Sequence, residues 1–123
     1  MSVLVDSNIL IDLLNGRPEA RDYLRSLDQI NISSITNYEV LAGCVDARKD
    51  QLKVAEMLLS VCKIIAVSSR ISSRAAQYQR RWKTKRKMAD FLIEATAQEN
   101  KLQLATRNPQ DFKHAKLITP YEL

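Results

Sequence analysis

Asp90 interrupts the otherwise apolar stretch MADFLIEATA, and Glu94 follows it one helical turn later. Asp6 closes the apolar run Val3-Leu4-Val5, Glu39 lies in SSITNYEV, and Asn108 and Asp111 follow Gln103-Leu104-Ala105-Thr106. Carboxylates gathered at one place repel one another, and two unit charges about 4 Å apart cost roughly 4 kcal/mol at an effective dielectric near 20. A cation removes that cost. Oxygen donors without neighbouring His or Cys favour hard ions, Mg²⁺ or Mn²⁺, over zinc. Such an ion polarises a phosphoryl oxygen and generates hydroxide from water, the metal route to phosphodiester hydrolysis. Each acid also has a local structural role open to it. Asp6 can cap a helix starting at Ser7-Asn8, Glu39 can close a capping box with Thr36, and Asp90 can complement a helix N-terminus.

Other chemistries are excluded by what the chain lacks. His114 is the only histidine, and Cys44 and Cys62 are too far apart for a CxxC pair, so a structural zinc site is not expected and both thiols should be buried. The only glycines, Gly16 and Gly43, cannot build a Gly-rich phosphate loop, which removes dinucleotide-binding and P-loop readings.

The positioning elements follow from hydrophobic spacing. A length of 123 residues suits one domain, 1–123, and 46 % hydrophobic with 27 % charged residues is an ordinary globular composition. No apolar run approaches the roughly 18 to 20 residues of a membrane span, and Asp6 interrupts the apolar N-terminus, so a cytoplasmic protein with no membrane partner is expected. Val3–Val5 reads as a strand and the segment through Leu14 as a helix; Pro18 opens a second helix to about Leu27. A strand at Ile30–Ile32, helices from Thr36 and over about Asp50–Val61, and a strand at Lys63–Val67 come next. Helices over about Ser72–Lys85 and Ala89–Asn100 lead to a strand at Gln103–Thr106, a turn at Asn108-Pro109 and a last strand at Leu117-Ile118. Short apolar strands alternating with helices predict an α/β domain whose mainly parallel sheet of four to five strands is covered on both faces.

Ligands of such sheets bind beyond the carboxyl ends of the strands. Asp6 follows the first strand, and Glu39 lies early in the helix after the second. Asp90 begins the helix that leads back to the fourth strand, and Asn108 and Asp111 follow that strand. Distant segments thus deliver acids and an amide to one rim. The net charge of +5 is uneven: no acid lies between Glu56 and Asp90, an interval that holds Arg70, Arg74 and the basic run Arg80, Arg81, Lys83, Lys85, Arg86 and Lys87. That run suits the backbone of a nucleic acid, with binding that falls as salt rises. Trp82 or Tyr78 would stack on a base, and the structural alternative is a solvated helix face on which Trp82 packs.

VLVDSNILIDLL, SSITNYEVLAG, ADFLIEATA and LATRNPQDF, in this order from Val3 to the terminal ITPYEL, resemble the PIN domain and most closely the VapC-type ribonuclease toxins of toxin–antitoxin pairs. The resemblance implies a three-layer α/β/α PIN-like fold and an endoribonuclease using Mg²⁺ or Mn²⁺. Its motif positions transfer to Asp6, Glu39 and Asp90. The fourth acidic position falls at Asn108 or Asp111, and Asp111 is favoured, with Asn108 as a neutral ligand or a water or substrate contact. Asp6, Asp90 and Asp111 are then the expected metal ligands, while Glu39 binds a second ion or takes a proton from the attacking water. Asn8 and Thr106 orient carboxylates or water. Glu94 departs from the small residue usual in the family, and is expected either to add charge to the site or to face solvent at its margin. The resemblance further implies a homodimer, an RNA substrate and a small antitoxin partner. The competing class is a non-catalytic RNA-binding or regulatory module of the same fold. A phosphatase would need an Asp-x-Asp motif that Asp6-Ser7-Asn8 lacks, and a receiver would need two acids before its phosphorylated Asp and a late-strand Lys, a pattern that is not present.

Overall fold

The computed structural model describes residues 2–44, 49–82 and 87–123, the side chain of Lys49 excepted. Strand β1 (Val3–Val5) runs into helix α1 (Ser7–Leu14), followed by α2 (Pro18–Arg25), β2 (Asn31–Ser33), α3 (Ser34–Ala42) and α4 (Lys49–Ser60). Strand β3 (Lys63–Ile65), α5 (Ser69–Arg81), α6 (Met88–Glu99), β4 (Gln103–Ala105), a 3₁₀ turn at Pro109–Asp111 and β5 (Leu117–Ile118) complete it. The five strands are all parallel, in the order β3-β2-β1-β4-β5. β1 is therefore central, and the chain reverses its direction of travel across the sheet between β3 and β4.

Side chains alternate across a strand, and β1 shows how that builds three layers. Val3 and Val5 pack with Ile9, Leu10, Leu24, Val40 and Leu59 from α1 to α4, whereas Leu4 packs on the opposite face with Ile93, Ala97, Leu104 and Phe112. A further cluster of Ile71, Ala75, Tyr78, Phe91 and Ala95 joins α5 to α6. Burying each such Leu or Phe is worth about 1.5–3 kcal/mol, so the central strand is fixed from both sides and its carboxyl end is held still.

Helix boundaries differ from expectation where polar residues compete to cap. Helix α3 is capped by Ser33, whose Oγ accepts from the Ile35 N–H at 3.0 Å. Thr36, expected to cap, lies inside the first turn and is fully buried. The capping box therefore does not form, and Glu39 is freed from that role. Helix α5 begins three residues before the expected Ser72, because Ser68 caps it by accepting from the Ile71 N–H at 3.1 Å. The shift follows from β3 ending at Ile65 rather than Val67. Cys44 and Cys62 are half-buried rather than buried, each donating its S–H to the carbonyl four residues back, Val40 and Leu58. No helix among the described residues is long and apolar enough to cross a membrane.

Candidate active site

Asp6 stands where β1 ends. Its N–H donates to the Ala105 carbonyl at 2.9 Å, extending the β1–β4 ladder by one residue. Its side chain then caps α1, Oδ1 accepting from the Ser7 N–H at 2.8 Å. The other oxygen, Oδ2, accepts from the Thr106 hydroxyl at 2.7 Å and from the Asn8 amide at 3.3 Å. Thr106 Oγ1 itself accepts from the Asn108 N–H at 3.0 Å, so the end of β4 is tied to the end of β1 through one carboxylate. The local cap expected of Asp6 is thus formed by Oδ1, while Oδ2 is turned to Thr106 and Asn8.

Glu39 reaches this group from α3. The Ser7 hydroxyl donates to Glu39 Oε1 at 2.9 Å and lies 3.4 Å from Asp6 Oδ1, so one hydroxyl stands between two carboxylates. Ser7 was not singled out by sequence reasoning; its place directly after Asp6, at the start of a helix, is the signal that points to it. Asp6 is buried, and its carboxyl is held above the ordinary carboxylate range, chiefly by desolvation and also by the charge of Glu39; the hydrogen bonds from Thr106 and Ser7 oppose the shift. That is the electrostatic condition in which a cation is welcome.

Asp90 lies in the first turn of α6, half-buried, its N–H donating to the Lys87 carbonyl at 3.0 Å. Asn108 and Asp111 bracket the 3₁₀ turn after β4, half-buried, with the Asp111 N–H donating to the Asn108 carbonyl at 3.1 Å. Among the described residues no three acidic, histidine or cysteine side chains converge as a ready metal cage. The structure thus couples Asp6 to Glu39 and sets Asn8, Thr106 and Asn108 around them. Asp90 and Asp111 are placed on neighbouring elements rather than in a closed cluster.

Glu94 neither joins the site nor faces solvent. It is fully buried in α6, and its Oε2 accepts from the backbone N–H groups of His114 at 2.7 Å and Ala115 at 3.0 Å. The reason is packing: Ile93 and Ala97 of the same helix sit against β4 and Phe112, which brings the chain after Phe112 beneath Glu94. A second buried acid, Asp12 of α1, holds Arg107 in a fork, with Nη2 2.9 Å from Oδ1 and Nε bonded to Oδ2, and also accepts from the Tyr121 hydroxyl at 2.8 Å. Sequence reasoning missed this lock. Its trace is Asp12 within the apolar spacing of α1, where a charge needs a partner.

Of the expected RNA contacts, Arg80 and Arg81 are exposed near the end of α5 and Lys87 is exposed before α6. Lys83, Lys85 and Arg86 lie outside the described residues. The expected base-stacking rings are already engaged. Tyr78 is buried and stacks on His114 with centroids 4.1 Å apart. Trp82 packs edge-on to Phe91 at 6.4 Å, with the Lys113 ammonium 4.1 Å from its ring. Trp82 therefore packs as its structural alternative had it, and Tyr78 is buried where base stacking was expected.

A five-stranded parallel sheet between two helical layers, with Asp6, Glu39 and a Thr-x-Asn turn at its carboxyl edge, defines a PIN-like α/β/α protein. Comparison with known proteins agrees with that class. The model of the PIN domain matches residues 3–117, and the chain belongs to the PIN domain family. Ribonuclease VapC10 of Mycobacterium tuberculosis is 32 % identical over 124 residues, spanning 96 % of this chain and 91 % of that protein. Among solved structures, a toxin–antitoxin complex from Klebsiella pneumoniae matches with a TM-score of 0.86 at 40 % identity, covering 99 % of this chain and 100 % of that one. VapBC2 from Rickettsia felis, bound to a DNA fragment from their promoter, shares the fold with a TM-score of 0.81 at 22 % identity over 96 % and 98 % of the two chains.

Proposed function

We propose that this protein is the toxin of a toxin–antitoxin pair, a Mg²⁺- or Mn²⁺-dependent endoribonuclease acting on cytoplasmic RNA. The observation that carries the reading is the state of Asp6. Three acids are buried among the described residues, Asp6, Asp12 and Glu94. Asp12 is answered by a guanidinium and Glu94 by two backbone N–H groups, whereas Asp6 faces a second carboxylate. Burying a charge without a counter-charge is costly, and a divalent cation supplies the missing one. The donors at hand are carboxylate, hydroxyl and amide oxygens, which fits a hard ion and not zinc.

Asp6, Asp90 and Asp111 would hold the ion, with Asn108 as a neutral neighbour. When bound, it supplies Lewis acidity toward the phosphodiester and toward water. Thr106 and Asn8 fix the Asp6 carboxylate, and Ser7 fixes that of Glu39. Glu39 accepts the proton of the attacking water as its oxygen bonds to phosphorus; the ester P–O bond breaks and the leaving oxygen is protonated by solvent. Arg80, Arg81 and Lys87, with the run 83–86, offset the charge of the RNA backbone.

Such a toxin is paired with a small antitoxin that covers the acidic rim, and it assembles as a homodimer. Two relatives support that partner, since the Klebsiella pneumoniae and Rickettsia felis structures are described as a toxin–antitoxin complex and as VapBC2. The test is cleavage of structured RNAs by purified protein with and without Mn²⁺, beside Asp6→Asn and Asp90→Asn. Metal-dependent cleavage lost in both variants is expected. Cleavage equal to that of the unaltered protein refutes the site, and RNA binding without any cleavage favours the binding-module reading.

A further inference from the structure

Helices α5 and α6 lie antiparallel. Arg74, early in α5, pairs with Glu99 at the end of α6, whereas Trp82, just after α5, meets Phe91 at the start of α6. Travelling up α5 therefore leads from the far end of α6 toward Asp90. Along that path runs an open groove lined by Arg70, Ser73, Arg74, Gln77, Arg80 and Glu99. Three guanidinium groups stand there against one carboxylate. Glu99 takes Arg74 at 2.7 Å and Arg70 at 3.5 Å, and the Arg74 fork also lies 3.4 Å from the Tyr78 hydroxyl, so Arg74 is held in place before any ligand arrives. Arg70 is 85 % exposed at its side chain and Arg80 is also exposed, both ready to meet an anion.

We propose that this α5 groove is an RNA subsite that extends the backbone contact of Arg80 away from the acidic rim, through Arg74 to Arg70, and grips the sugar–phosphate backbone of the substrate without reading its bases. The proposal rests on the nuclease reading above. At 1.5 Å per residue, Asp90 and Glu99 are separated by about 14 Å along α6, and Arg70 and Arg80 by about 15 Å along α5. On the scale of a stacked DNA strand, about 3.4 Å per phosphate, that length spans roughly four phosphates, and fewer of a more extended RNA strand. Arginine presents its donors as a fork suited to phosphate oxygens. The lining is wholly polar, which suits a phosphate track better than a protein partner, whose interface core would need apolar anchors. With Tyr78 stacked on His114, no aromatic face opens into the groove among the described residues, and contacts to phosphate alone carry no sequence information.

The test measures binding of fluorescent RNAs, one just spanning the cleavage point and one about five nucleotides longer on each side, to full-length protein carrying Asp6→Asn to stop cleavage. In that background Arg70→Gln with Arg74→Gln should weaken the long RNA and leave the short one unaffected. It should also flatten the slope of log affinity against log salt by about 1.4, two contacts at about 0.7 each on a single strand. Arg70→Gln alone, at a highly exposed position that does not threaten folding, should flatten it by about 0.7. Glu99→Gln should act in the opposite sense and tighten the long RNA, because it removes the groove's one acid. A purely structural Arg74–Glu99 pair would give no tightening. An unchanged slope in Arg70→Gln overturns the subsite while leaving the nuclease reading intact. Capture of a polyglutamate peptide with an unchanged RNA slope overturns it in favour of an acidic protein partner. Absence of both RNA binding and cleavage in the unaltered protein removes the nuclease reading and the subsite together.

Discussion

Replacing Arg107 by Met tests how the chain after β4 is kept in place. Asp12 is buried at 5 % exposure, and its carboxylate is held by both arms of the Arg107 guanidinium and by the Tyr121 hydroxyl. Removing one partner of a buried ion pair costs about 3–5 kcal/mol, because the other charge is stranded. Arg107 is 27 % exposed at its side chain, so water reaches the pair and the figure falls to about 2–3 kcal/mol. With an unfolding entropy near 2.1 cal/mol/K per residue, 123 residues give about 0.26 kcal/mol per degree, and the midpoint should drop by about 8–12 °C. Urea unfolding followed by circular dichroism gives the free energy directly.

The same measurement on Asp12→Asn and on the double variant isolates the pair. Asp12→Asn leaves a guanidinium that can turn to solvent, so it should cost less than Arg107→Met. The double variant should be more stable than Arg107→Met alone, since it no longer buries an orphaned carboxylate. An Arg107→Met protein within about 0.5 kcal/mol of the unaltered one, or strictly additive effects, would refute the reasoning. Arg107 stands between Thr106 and Asn108, so its loss also loosens the turn that fixes Asp6. RNA cleavage by Arg107→Met should fall even well below its melting range.

Two other buried acids give predictions of different sign. Glu94→Gln keeps the volume but offers backbone N–H groups a weaker acceptor, and should destabilise by about 1–3 kcal/mol; hydrogen exchange at the His114 and Ala115 amides, faster in the variant, reads it locally. For Asp6 the folded state holds the proton more tightly than the unfolded chain, because burial and Glu39 raise its carboxyl above the ordinary range. Its ionised form therefore costs stability, a cost fully present above the folded value and absent once pH falls below the unfolded value near 3.9. Asp6→Asn should accordingly melt higher than the unaltered protein at pH 7 in chelator, with the gain vanishing below about pH 4. Added Mn²⁺ should reverse the order by stabilising only the unaltered protein. Unchanged order at both pH values would refute the assignment.

The layers were legible because periodicity survives in short elements. Val3-Leu4-Val5 is continuous and apolar because both of its faces are covered, and Ile9, Leu10, Leu13 and Leu14 keep helical spacing because one face of α1 meets the sheet. Capping was less legible. Ser33-Ser34 and Thr36 all have hydroxyls able to take the orphan N–H groups, and local sequence does not rank them. The exit of β2 does, since Ser33 ends the strand and leaves its hydroxyl over the Ile35 N–H. The ring contacts of Tyr78 and Trp82 were not legible for a similar reason: His114 comes from a segment 36 residues on, and Phe91 meets Trp82 only because α6 folds back along α5.

The carboxylates carry the same lesson further. Asp6, Asp12 and Glu94 each interrupt an apolar spacing, and on a helical projection nothing separates a ligand from an anchor. What divides them is the group the fold sets opposite. Asp12 and Glu94 meet donors brought from residues 107 to 121, so each spends its charge on tying that segment to a helix. Asp6 meets neutral donors and a second acid, so its charge is left without a counter-charge. The anchors and the candidate ligand also depend on one another. The segment that Asp12 and Glu94 pin carries Asn108 and Asp111, and its first link, Thr106, bonds Asp6 itself. Two buried charges with partners of their own thus hold rigid the strand exits on which the third depends, and a preorganised site of like charges becomes possible only because its supporting acids are already satisfied.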